Sequence, residues 1–170
     1  MRVRRGIGGV SVALLLLAGA MVGVHGAGAS EGVVASATGS GGVRVQNDEL
    51  RIITFSAIRG ADGTVTGELV FMNKFTEVTS HVTVNCLNIG HHADGDVAVL
   101  GGIITKSNVP IEGLTGVVAV QDRGAGANEP RDRITGSLAV GSAVTCNDFN
   151  PDPSALPLSD LDTGNIQVEH

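Results

Sequence analysis

The chain has 170 residues, with 11 basic and 17 acidic side chains and a net charge of −6. Nucleic acid and anionic membrane surfaces are bound through clustered Lys and Arg, and this acidic chain has no such cluster after its first residues, which excludes both partner classes. It also has no Trp, no Tyr and only four Phe residues, which disfavours a carbohydrate-binding module, because such modules depend on flat aromatic platforms.

The first 29 residues predict a secretory signal peptide. Three arginines open the chain, residues 6–30 carry no charged side chain and have an apolar centre, and Ala27-Gly28-Ala29 precedes Ser30. A basic start, a short apolar stretch and a small-residue exit are the three parts of such a peptide. We therefore expect a secreted, extracellular protein that is cleaved before Ser30. The alternative is a retained membrane anchor, but seven glycines dilute a stretch that would need about 20 predominantly apolar residues to span a bilayer.

The remaining chain, 30–170, suits one domain. Cleavage removes three basic residues and no acidic ones, so eight basic residues remain against 17 acidic ones, a net charge of −9. We interpret this acidity as favouring solubility. Residues 30–42 are small, polar and rich in glycine, and we expect a flexible lead-in there, followed by a single β domain over residues 43–170.

Short β-type segments then follow one another to the end of the chain. Turn signals such as Asp62-Gly63 separate them, and residues 64–72 alternate between apolar and polar side chains, as expected of a half-buried strand. The predicted strands are 43–46, 50–58, 64–72, 81–89, 97–105, 115–121, 133–140 and 164–169.

This pattern predicts an all-β fold. We expect an antiparallel β-sandwich, immunoglobulin-like or jelly-roll-like, of about seven or eight strands after the N-terminal signal helix. A closed barrel is the structural alternative. Residues 82–84 and 87–89 place their apolar side chains at opposite parity, which predicts a bulge or strand end near Cys86. The proline-rich segment 148–162 is expected to be a long crossing loop.

Two cysteines follow the signal, Cys86 and Cys146, each at the end of a valine-rich run. An even number of cysteines in an oxidising compartment predicts a disulfide between two strands. The alternative is a reactive thiol, which would need a nearby histidine and would leave the second cysteine unexplained.

The loop 122–132 is the first candidate binding site. It combines several side-chain oxygens with flexible glycines, and calcium requires oxygen ligands on a bendable loop. The spacing fits no EF-hand, and the arginines within and beside the loop offer an alternative, an ordered loop held by Arg–Asp pairs. Calcium is therefore the one cofactor considered, with candidate ligands Asp122, Asn128 and Asp132.

The second candidate site is a transition-metal site in the segment 91–96, because imidazole and carboxylate groups both bind such ions. Adjacent histidines in a strand point to opposite faces, so only one of them is expected to join a given site. The other reading is an exposed hairpin tip. The candidate ligands are His91, His92, Asp94 and Asp96.

No catalytic residues are assigned. The sequence has no Gly-x-Ser-x-Gly elbow, and a convergent Ser-His-Asp triad is recognised only in space. We expect a non-catalytic structural or protein-interaction module of unknown ligand and oligomeric state. Main-chain pairing at a sheet edge is the interaction mode that needs no aromatic platform. The alternatives are a small secreted hydrolase on the same fold and a calcium-dependent adhesion or scaffolding domain.

Three segments carry a resemblance to a known group of proteins. They are GDVAVLGG at 95–102, VAVQDRG at 118–124 followed by DRI at 132–134, and GNIQV at 164–168. In this order they resemble the small exported bacterial β-sandwich domains grouped as post-COAP and similar families, over residues 63–169. The cysteine pair and the segment 148–162 depart from that pattern. The resemblance implies the fold and export but no activity.

Overall fold

A computed structural model describes residues 32–124 and 129–170. The predicted signal peptide, the start of the lead-in and Asn128 lie outside this part of the chain. No helix in the described part has the length and the hydropathy needed to cross a membrane.

The described residues form a single antiparallel sheet of ten strands, so the predicted antiparallel all-β fold is confirmed. The two facing sheets of a sandwich are not confirmed, because all ten strands belong to one hydrogen-bonded network. Two 3-10 helices accompany them, Gln46–Asp48 and Cys146–Asp148. The strands are β1 (Val33–Val45), β2 (Glu49–Gly60), β3 (Val65–Asn73), β4 (Val78–Gly90), β5 (Asp96–Ser107), β6 (Thr115–Asp122), β7 (Arg133–Thr135), β8 (Ala139–Gly141), β9 (Leu158–Asp160) and β10 (Thr163–Glu169).

The sheet is curled into a half-barrel. Its order is β10-β1-β2-β3-β4-β5-β6-β7-β9, with β8 on the side of β6. Strand β10 pairs with β1, yet it also lies against β6, six strands further along the sheet. Strand β10 can contact both β1 and β6 only if the sheet curls. The main core fills its concave side, and its largest fully buried side chains include Ile53, Leu69, Leu100, Ile104, Ile134 and Ile166.

The expected flexible lead-in is wrong for residues 33–42, which belong to β1. The small residues of this segment are needed in the sheet, because Ala35 and Ala37 are buried in the core. At Gly41, a Cβ atom would overlap the buried side chain of Leu161. The small residues that predicted flexibility are therefore explained by close packing, because only short side chains fit beneath the segment that joins β9 to β10.

The predicted bulge near Cys86 is confirmed. The register between β4 and β5 shifts between Val84 and Cys86. The extra residue restores the side-chain parity, so that Val84 before it and Leu87 after it both point into the main core. Cys86 is left on the opposite, convex face of the sheet.

A second apolar cluster lies on that convex face, and the predicted disulfide between Cys86 and Cys146 is confirmed within it, with a Cα–Cα distance of 5.9 Å. The predicted strand 133–140 is divided into β7 and β8, and the predicted crossing loop contains β9. The segment from β8 to β9 covers the outer sides of β5 and β6. The buried members of this cluster are Val99, Val117, Ala119, Cys146 and Leu158.

Replacing both cysteines, in C86A/C146A, is expected to lower the free energy of unfolding by about 2–4 kcal/mol, because the bridge closes a long loop in the unfolded chain. Urea unfolding with and without a reducing agent provides the measurement. The reducing agent should destabilise the natural protein and leave the double variant unchanged. Equal stability of the natural protein and the double variant without the reducing agent would contradict the stabilising role of the disulfide.

Candidate functional site at the rim of the half-barrel

Polar side chains form a layer at one end of the half-barrel, directly above the main core. Strands β4, β5, β6 and β10 each place an apolar residue inward near this end, and the next inward position along each strand is polar. The apolar residues are Ile89, Ala98, Val120 and Val168, and the polar ones above them are His91, Asp96, Asp122 and His170. Asp96 and Asp122 lie directly opposite each other in the β5–β6 register.

Three of these residues, His91, Asp96 and His170, converge and are called the rim cluster. The Asp96 carboxylate bridges the two imidazoles: Oδ1 lies 3.0 Å from His91 Nδ1, and Oδ2 lies 3.7 Å from His170 Nδ1. The two rings are in contact, with centroids 3.6 Å apart and a tilt of 41°. Both histidine side chains are about half exposed (52% and 49%), so solutes can reach them.

Only part of the predicted transition-metal set is therefore brought together. His91 and Asp96 meet, whereas His92 points the other way, with its Nε2 2.7 Å from the carbonyl oxygen of Pro151. Asp94 is exposed, and its backbone carbonyl accepts a hydrogen bond from the side chain of Gln121.

Sequence reasoning missed His170, which is far from His91 along the chain. The signal that could have found it is the alternation of the last strand. Ile166 and Val168 point into the core, so residue 170 continues on the same side. What alternation alone cannot supply is the curl of the sheet that brings β10 beside β5 and β6.

The predicted calcium ligands Asp122 and Asp132 form a different arrangement, which we call the carboxylate seam. Asp132 accepts hydrogen bonds from the backbone amides of Arg123 (2.9 Å) and Ile166 (2.7 Å). Asp122 accepts bonds from the amides of Gly124 (2.9 Å) and Val168 (3.0 Å). The outer amides of β10 are thus bound by side chains of β6 and of the segment before β7. Since Asn128 lies outside the described residues, calcium stays a prediction.

The arginines near the seam contact other groups. Arg123 and Arg133 form ion pairs with the exposed Asp160, at 3.6 and 3.5 Å, and Arg131 donates to the carbonyl oxygen of Leu161. Asp132 is buried (6% exposed), and its carboxylate accepts hydrogen bonds from backbone amides rather than from these arginines. Amide donors compensate for the loss of water around a buried charge.

Two carboxyl groups away from the rim have lowered pKa values. The hydroxyl and the backbone amide of Thr64 donate to Asp62, and those of Ser154 donate to Asp152, which lowers the pKa of each carboxyl below its usual range. Each is a local turn interaction on the surface.

The uncovered part of the convex face, over β1–β5, is a second candidate surface, which we call the outer face. A continuous cross-strand row of mostly short polar side chains crosses it. Beside the centre of this row is a shallow hollow of about 210 Å³, lined by residues that include Glu68, His81 and Lys106. The row consists of Thr38, Ser56, Glu68, Thr83 and Ile103.

Comparisons with protein-family models, with curated proteins and with solved structures found no match to this chain.

The structural role of the carboxylate seam predicts that D132N lowers the free energy of unfolding by about 1–3 kcal/mol, because an amide offers one acceptor oxygen where two backbone N–H groups need partners. Urea unfolding measures the loss. The matched control is D160N, which removes only exposed ion pairs and should change the free energy by less than about 1 kcal/mol. Equal effects of the two substitutions would contradict the seam.

Proposed function

We propose that the chain is an exported, non-catalytic protein-interaction module that binds its partner through the outer face. The observation that carries this proposal is the continuous row of short side chains on extended strands. Ser and Thr offer hydrogen-bonding groups with few rotatable bonds, so that little side-chain entropy is lost when they are ordered in a complex. The opposite charges of Glu68 and Lys106, with the His81 imidazole beside them, would orient a partner at the hollow.

Rigid surroundings support this proposal. The outer face is carried by long strands whose concave side is occupied by the main core. The disulfide attaches a separate segment over β6 and the Val99 part of β5, which leaves β1–β4 and the end of β5 that carries Ile103 uncovered. A preformed face avoids the cost of ordering a binding loop.

The contact is proposed on the face of the sheet rather than at its edges. Edge pairing needs a row of accessible amides, but the outer amides of Ile166 and Val168 in β10 are bound by the carboxylate seam. Strands β8 and β9 have three residues each, too few for an extended ladder. Such short or blocked edges are typical of sheets that resist edge-to-edge association.

The alternative functions are a small secreted hydrolase and a calcium-dependent adhesion domain. The rim cluster bears on the first, because a histidine oriented by a carboxylate is part of a catalytic triad. Here, however, one carboxylate serves two imidazoles, an arrangement that suits metal binding better than the activation of a nucleophile. For the calcium-dependent adhesion domain, two of the proposed ligands, Asp122 and Asp132, already accept hydrogen bonds from backbone amides.

Export and a bacterial origin are part of the proposal and rest on the signal sequence, the disulfide and the resemblance to exported domains. Expression of the full-length chain in a secreting bacterial host should yield an extracellular protein that begins at Ser30. Intact mass and N-terminal sequencing of the protein from the medium give the measurement. A full-length product retained in the cell membrane would contradict export by a cleaved signal.

Partner binding is tested with a photo-crosslinking residue in the full-length chain, produced in the organism that encodes it. Placed at Ser56 or at Thr83, the two cross-strand neighbours of Glu68, it should give an adduct with the same protein. Placed at Ala155, an exposed position on the segment between β8 and β9, it should give none.

A second substitution tests whether that adduct reports specific binding. T83R should reduce the yield of the Ser56 adduct by at least about tenfold, because a long charged side chain would stand in the proposed contact. An adduct that forms equally from Ala155, or that persists in T83R, would contradict the outer face as the contact surface.

A further inference from the structure

We propose that the rim cluster is a binding site for a divalent transition-metal ion of the zinc class, with His91, Asp96 and His170 as its ligands. This inference is independent of the proposed function of the outer face. It adds His170 to the set that the sequence indicates and removes His92 and Asp94 from it.

The donor set is the first argument. Two imidazole nitrogens and a carboxylate oxygen form the set found in open, three-ligand zinc sites, in which the fourth position is left for water or another molecule. Calcium prefers six to eight oxygen ligands, which this cluster does not offer. Nitrogen donors therefore select zinc, copper or nickel over calcium at this position.

The distances are the second argument. One ligand atom from each residue lies within 4.8 Å of the others. Zinc–ligand bonds of about 2.0–2.1 Å in a tetrahedral arrangement place neighbouring ligand atoms about 3.3 Å apart. The separations from Asp96 oxygens to His91 Nδ1 and His170 Nδ1 are 3.0 and 3.7 Å. An ion could therefore be bound with small side-chain adjustments.

The backbone around the cluster directs the ligands inward. His92 is held by the carbonyl oxygen of Pro151, and its own carbonyl accepts a hydrogen bond from Gly95 at the following turn. This anchored neighbour fixes the segment that carries His91. Opposite it, the seam bond from Val168 to Asp122 (3.0 Å) holds the end of β10 that carries His170.

The electrostatics of the cluster favour a cation. Asp96 supplies one negative charge, and the two imidazole rings have their centroids 3.6 Å apart. At that distance a single divalent ion can bind both rings and the carboxylate together. A bound ion would also connect the β4–β5 turn to the end of β10, and would thereby stabilise the curled half-barrel.

Zinc titration of the full-length chain, expressed without a polyhistidine tag and purified with a chelator that is then removed, tests the proposal. Isothermal calorimetry is expected to show one Zn²⁺ per chain. H91A and H170A should each weaken the affinity for zinc by about tenfold or more. Even the loss of a residue that only orients a metal ligand lowers metal affinity about 10–100-fold. The matched control, H81A, removes a histidine outside the rim cluster and should bind zinc as the natural protein does.

Nuclear magnetic resonance of the unsubstituted protein provides a measurement that does not depend on the variants folding. The imidazole signals of His91 and His170 should shift on addition of Zn²⁺, while that of His81 should not, and Ca²⁺ should shift none of them. The proposal is overturned if the natural protein does not bind zinc, if H91A and H170A bind it as tightly as the natural protein does, or if zinc shifts the signals of His81 or His92 but not those of His91 and His170.

Discussion

The structure depends on how the last strand is bound to the far side of the sheet. A ladder of backbone hydrogen bonds joins β10 to β1, but on its other side the amides of Ile166 and Val168 bind the carboxylates of Asp132 and Asp122. Charged acceptors form stronger hydrogen bonds with amides than neutral ones do. They also leave no free row of donors for another chain. Along this edge of β10, two carboxylate side chains therefore accept the hydrogen bonds that a neighbouring strand would otherwise accept.

This closure also determines where function can reside. It places the end of β10 beside β5 and β6, and so brings His170 to His91 and Asp96 at the rim. The disulfide acts on the other side of the sheet, where it holds a segment over β5 and β6 and leaves the outer face uncovered. The rim cluster and the outer face are therefore separate surfaces, the first proposed to bind a metal ion and the second a protein.

Local patterns predicted much of this fold. The alternation of residues 64–72, the turn at Asp62-Gly63 and the change of parity at Cys86 each reflect interactions between residues that are close in sequence or on one strand. The disulfide was predicted for a different reason: its cysteines are 60 positions apart, but an even cysteine count in an oxidising compartment indicates pairing whatever the fold. The glycine-rich segment 33–42 misled the prediction, since composition does not distinguish a flexible segment from one packed under a large side chain such as Leu161.

The sequence by itself therefore determined the antiparallel β-strands, the cysteine pairing and the residue types available for a site, because these follow from periodicity and side-chain chemistry. Only the tertiary structure decided that the strands form one curled sheet, because curling depends on contacts between β10 and β6. The same contacts assigned Asp122 and Asp132 to the seam, and they placed His170 beside His91. Contacts between distant strands produce no periodicity in the sequence, because the alternation within each strand reflects only which face of that strand is buried.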